Sequence, residues 1–150
     1  MATILETVED ANVTAGIRTL SFANLREFQS FMESFTFQEW PINILVPFTV
    51  NGTTNMSTGI RKASVSLQGW VLTRVKIDPN DYRTRAMEAT YLNPMRTLAK
   101  KFIKAMINSD IVDRDVDTIS DTITPEYKFL NGLTFGVSYV LNLPIRDNVC

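Results

Sequence analysis

The chain has 150 residues, 45 % of them hydrophobic and 21 % charged, which fits one domain around a single core. Its 15 basic and 16 acidic residues leave a net charge of −1, so no general attraction draws it to nucleic acid. Histidine is absent and the one cysteine, Cys150, is the last residue, which removes the usual general base and any internal disulfide.

Residues 1–14 carry early acids and no apolar run of export-signal length, and no segment approaches the roughly 20 apolar residues that span a bilayer. The expected setting is the cell interior or an assembly built there, without a membrane partner. Ile4, Leu5 and Val8 permit one amphipathic turn, but an arm ordering against a neighbour fits residues 1–20 equally well. The expected layout is therefore an N-terminal arm over 1–20 and one α+β domain over 21–150.

Asn24 and Glu27 form a capping-box pattern, and Leu25, Phe28, Phe31, Met32 and Phe35 share a helical face, predicting a helix over 24–34. Pro41 stops any helix, and the apolar run Ile42 to Val46 predicts a strand. Residues 51–59 are rich in Gly, Thr and Asn and read as a loop, mobile in an isolated subunit. From 60 to 77 the chain alternates: Ala63, Val65, Leu67, Gly69, Val71 and Val75 lie on one face of a long strand. Lys62, Ser64, Ser66, Gln68, Trp70, Leu72 and Arg74 lie on the other. Segments 42–50 and 60–77 then make a hairpin, and Gly69 is a candidate bulge.

Residues 81–92 are moderately helical. Asn93-Pro94 reads as a helix start, and Met95, Leu98, Ala99, Phe102, Ala105 and Met106 form a stripe that predicts a helix over 94–108. Arg96, Lys100, Lys101 and Lys104 lie off that stripe. A strand is expected near 117–124, Asn131-Gly132 is a hairpin signal, and Leu133 to Leu143 alternates strictly. The fold class is α+β: an antiparallel sheet of about four strands with two main helices on one face.

Little in the sequence points to chemistry. Cys150 has no imidazole to activate it, and no Gly-rich phosphate loop matches. Asp113, Asp115 and Asp117 resemble the start of a calcium loop, but Thr118 and Thr124 stand where that loop needs glycine and glutamate. No enzymatic activity, metal or cofactor is expected. Trp70 and Leu72, large and apolar on a polar strand face, are candidate interface residues. So are Arg96, Lys100, Lys101 and Lys104, which face phosphates, solvent, or the acidic 110–121 segment of a second copy containing Asp113 and Asp115.

The order of signals resembles the small ring proteins of the tailed-bacteriophage neck, the tail-terminator or tail-completion group, and in particular short neck proteins of crAss-like phages. The likeness spans about residues 20–145. It rests on the helix 24–34, the segment from Trp40 through Pro41 to Pro47, the strand 64–72, the helix 93–103 and the strand 133–141. The resemblance implies a virion protein, assembled in the host cytoplasm, forming a closed ring on the order of six or twelve copies. Its partners would be itself and the portal, adaptor or tail proteins around it, with DNA passing through without specific binding. It also implies that the 51–59 loop, with Asn51 and Asn55, contacts neighbouring rings. Residues 1–20 have no counterpart in that family. The alternative is a small α+β binding or adaptor module acting as a monomer or dimer.

Overall fold

A computed structural model describes residues 3–22, 40–74, 88–116, 118–128 and 134–146. The first element is a helix, α1, Ile4–Ala15. Thr3 starts it with a capping box: its hydroxyl oxygen accepts from the Glu6 N–H at 3.1 Å, and its own N–H donates to the Glu6 carboxylate at 3.4 Å. Gly16 ends it at φ 80°, a left-handed conformation that glycine adopts without steric cost. Ile4, Val8, Ala11 and Ala15 recur at helical spacing and are buried in the main core. Ile4–Ala15, expected within an N-terminal arm, is thus built into the domain.

The strands are β1 (Thr19–Phe22), β2 (Ile42–Leu45), β3 (Thr49–Thr54), β4 (Arg61–Arg74), β5 (Ser120–Lys128) and β6 (Thr134–Ile145). They form one sheet in the order β1-β2-β4-β6-β5, with β3 also paired to β4. The architecture is α+β, but the sheet has six strands rather than about four. It is also mixed, because β1 runs parallel to β2. The remaining pairs are antiparallel.

β2 and β3 pair in succession along the same edge of β4, so the expected hairpin between 42–50 and 60–77 is present. β4 and β6 pair without a slip from Ala63 opposite Ile145 to Arg74 opposite Thr134, so Gly69 marks no bulge. The helix expected over 94–108 is α2, Asn93–Ile107. It continues from a π-helical turn, Glu88–Leu92, so Asn93 lies inside the helix rather than capping it, and accepts a hydrogen bond from Arg96 at 3.0 Å. The helix expected over 24–34, the calcium-like position Asp117, the strand end 75–77 and the Asn131-Gly132 turn lie outside the described residues.

Among the described residues, α1 and α2 cover one face of the sheet. Phe102, Ile103 and Met106 of α2 meet Val65, Leu67 and Val71 of β4 and Val137, Tyr139 and Leu141 of β6 in one core cluster. The other face divides. Ile42, Ile44 and Leu72 are fully buried there, while Ser64, Gln68, Thr122 and Asn142 are exposed.

Candidate interaction surfaces

Leu72 is 0 % exposed, which corrects its assignment to an interface. It stands opposite Ile42 and beside Gly136, so its alternation partners on that strand face are apolar too. Trp70, opposite Ile44 and Ser138, is half-buried. The loop expected over 51–59 is shorter in the fold: β3 continues to Thr54, and only Asn55 to Gly59 turns. Thr49, Thr53 and Thr54 are β-branched and suit an extended chain. Asn55 closes the turn, its side-chain oxygen accepting from the N–H groups of Ser57 at 2.9 Å and Thr58 at 3.3 Å. Asn51 and Asn55 are both exposed.

Along β3 and the turn that leads to β4 the chain is exposed without interruption from Thr49 to Lys62. Every residue of β3 is exposed, and its outer edge pairs with no strand among the described residues. That edge carries no charge and no proline. Met56 at the turn is 91 % exposed, Ile60 59 % and Val50 46 %. Such an edge offers free backbone donors and acceptors to another strand, and natural monomers usually blunt it with charge or a bulge.

The helix layer segregates charge. α1 carries Glu6, Glu9 and Asp10 and no base; α2 carries Arg96, Lys100, Lys101 and Lys104 and no acid. Among the described residues no ion pair joins the two helices, although they pack together. The three lysines are exposed and Arg96 is half-buried. Lys100 and Lys104 border a groove of about 190 Å³ between α2 and β5, with Ile103, Ile107 and Ile123 as its apolar lining and Asp121 on the strand wall. Lys101 and Lys104 border a second groove with Thr14 and Asn108.

Asp113 and Asp115 do not meet these lysines. The Asp113 carboxylate accepts from the Asp115 N–H at 3.0 Å, and Arg114 donates to the Ser109 carbonyl at 3.0 Å. These contacts shape the turn that follows the Val112–Ile145 bridge. Among the described residues no group of three or more Cys, Asp or Glu side chains is placed to hold a metal ion. Nor is any helix among them long and apolar enough to cross a membrane.

One polar constellation escaped the sequence. The Tyr139 hydroxyl donates to Asn43 Oδ1 at 2.7 Å, Asn43 Nδ2 donates to Asn12 Oδ1 at 3.2 Å, and Asn12 Nδ2 donates to the Ile17 carbonyl at 3.2 Å. All three side chains are buried. The chain of bonds crosses from β6 over β4 to β2 and on to α1. Its passage depends on Gly69, where a Cβ would stand 2.7 Å from the Tyr139 hydroxyl and 2.5 Å from the Ile44 carbonyl oxygen. Phe102 packs on the tyrosine at a ring separation of 5.5 Å. No local periodicity could show this network; the only hints were a polar residue inside the apolar 42–46 run and a glycine inside a long strand. No protein-family model matches the chain, and no curated protein matches it.

Burial pushes the Tyr139 phenol well above its ordinary value of 10.0. The folded state therefore keeps a proton that the unfolded chain gives up. The contribution is fully present below pH 10 and falls as pH rises toward the raised folded value, by at most about 1.4 kcal/mol per pH unit. Between pH 9 and 11.5, urea denaturation should show stability falling more steeply for the wild type than for Tyr139→Phe. Parallel curves would remove Tyr139 from the alkaline response.

Proposed function

We propose that the chain is a structural subunit that assembles with copies of itself into a closed ring in the neck or tail of a tailed bacteriophage, joining portal to tail around the DNA channel. The observation that carries the reading is the hairpin β3–β4: an uncharged, fully exposed edge strand followed by the exposed Met56 and Ile60. A surface of this kind gains stability when a partner completes it. The resemblance to phage neck proteins supplies the place of the ring, and the exposed Asn51 on β3 and Asn55 at the turn suit contact with a neighbouring ring or protein. A closing ring needs two different adhesive patches on each subunit, and beside the hairpin the helix layer presents an acidic and a basic one.

Electron microscopy of the purified protein tests this. The reading expects closed annular particles of one size, reduced in number by Met56→Asp, which lies on an exposed turn and leaves the core untouched. A field of single subunits for the wild type would overturn it and favour the adaptor-module alternative.

A further inference from the structure

We infer that the α2–β5 groove receives the outer face of α1 from a second copy of this chain, in a head-to-tail contact; the inference rests on the self-assembly reading and names its interface. The receiving side has an apolar floor of Ile103, Ile107 and Ile123 between the α2 lysines and Asp121. Lys100 and Lys104 are one helical turn apart, about 6 Å along the axis. The docking side is the face of α1 turned away from its own core. Leu5, Glu9 and Val13 recur there at four-residue spacing, with Glu6 and Asp10 beside them. Leu5 is 46 % exposed and Val13 78 % exposed, so the strip is apolar as well as acidic.

The complementarity runs in both respects. An acidic strip with apolar side chains faces outward on one helix, and a basic groove with an apolar floor opens on the other. Glu6 is held in its own capping box, but among the described residues no ion pair joins Glu9 or Asp10 to the α2 lysines. The contact is heterologous: α1 and the groove are different patches, so each copy gives one and receives one. Repetition of such a contact closes a ring or extends a filament. Asp121 on the strand wall opposes the incoming acids and restricts the strip to the lysine side.

Charge reversal tests the contact with the full chain. One variant carries Lys100→Glu and Lys104→Glu; another carries Glu9→Lys and Asp10→Lys, which spares the Glu6 capping box. Each alone presents like charges across the contact, and its apparent self-association constant should fall on the order of a hundredfold by light scattering. Mixing the two restores opposite charge at every contact and should restore the multimer. Circular dichroism confirms that each variant is folded, and Arg146→Glu, an exposed reversal outside both patches, should leave the multimer intact. Raising salt to 1 M, where the Debye length is about 3 Å, should weaken the wild type. If the wild type forms closed multimers that either reversal leaves unchanged, or if folded variants fail to recombine, this interface is wrong while self-assembly stands. If the wild type stays single at every salt concentration, both are overturned.

Discussion

Gly69→Val should leave no folded protein, and Gly69→Ala should lose about 3 kcal/mol or more, beyond the usual cost of overpacking a core. A Cβ at this position would stand 2.5 Å from a backbone oxygen, the Ile44 carbonyl, and 2.7 Å from the Tyr139 hydroxyl. Neither contact can swing aside. The carbonyl belongs to β2 in the middle of the sheet, and the phenol is held by Asn43 and by Phe102. Relief would have to separate β2 from β4 or pull Tyr139 out of its hydrogen bond. Gly16→Ala makes a useful contrast. Nothing lies within 4 Å of a Cβ there, and only the positive φ is strained, so its cost should be about 1 kcal/mol. Urea denaturation of the two alanine variants checks the ranking, and equal losses would mean that Gly69 is not held by space.

Asn43→Ala should cost about 3–5 kcal/mol, because it strands two buried groups at once. Asn43 is 0 % exposed and stands between the Tyr139 hydroxyl and the Asn12 amide. Its loss leaves a phenolic donor without an acceptor and an amide oxygen without a donor, in a region closed to solvent. The sharper consequence is non-additive. In the wild type, Tyr139→Phe should destabilise by about 1–2 kcal/mol. In the Asn43→Ala background the same change removes an orphaned hydroxyl and should be neutral or stabilising. A double-mutant cycle by denaturation measures this coupling; additive costs would show that Tyr139 and Asn43 do not act as one unit.

The parts legible in the sequence are those where one physical constraint acts along a continuous stretch. β4 shows its period because Ala63, Val65, Leu67 and Val71 all enter one core, and α2 shows its stripe because Met95, Ala99, Phe102 and Met106 do the same. α1 falls within an expected arm because its buried face is diluted by Thr7, Ala11, Asn12 and Ala15, which carry little apolar signal. Its clearer marks are at the ends: Thr3 with Glu6 as a capping box, and Gly16 as a stop. Residues 51–54 of β3 read as loop because their Thr, Asn and Gly composition matches loops, while their strand state comes from pairing with β4. Leu72 misleads because alternation implies one wet face, whereas at this end of β4 that face is buried together with its cross-strand neighbours Ile42 and Ile44. The Tyr139–Asn43–Asn12 network joins residues 96 and 31 positions apart, so only the folded sheet brings it together.

For Lys100 and Lys104 the sequence leaves phosphates, solvent and the acidic 110–121 segment of a second copy open. The fold puts Asp121 on the wall of the same groove and uses Asp113 for a turn. Glu9 and Asp10 of α1 are further exposed acids, on a helix of which the sequence offers only one amphipathic turn.

Self-assembly into a closed ring is the claim on which the functional reading rests, and the mass of the protein in solution tests it most directly. Native mass spectrometry with light scattering, at concentrations on the order of 10 μM where contacts of micromolar strength are occupied, gives that mass. A closed ring predicts one discrete multiple of the 17.0 kDa subunit that does not grow as concentration rises. A mass of one subunit, or of two, across that range would contradict it.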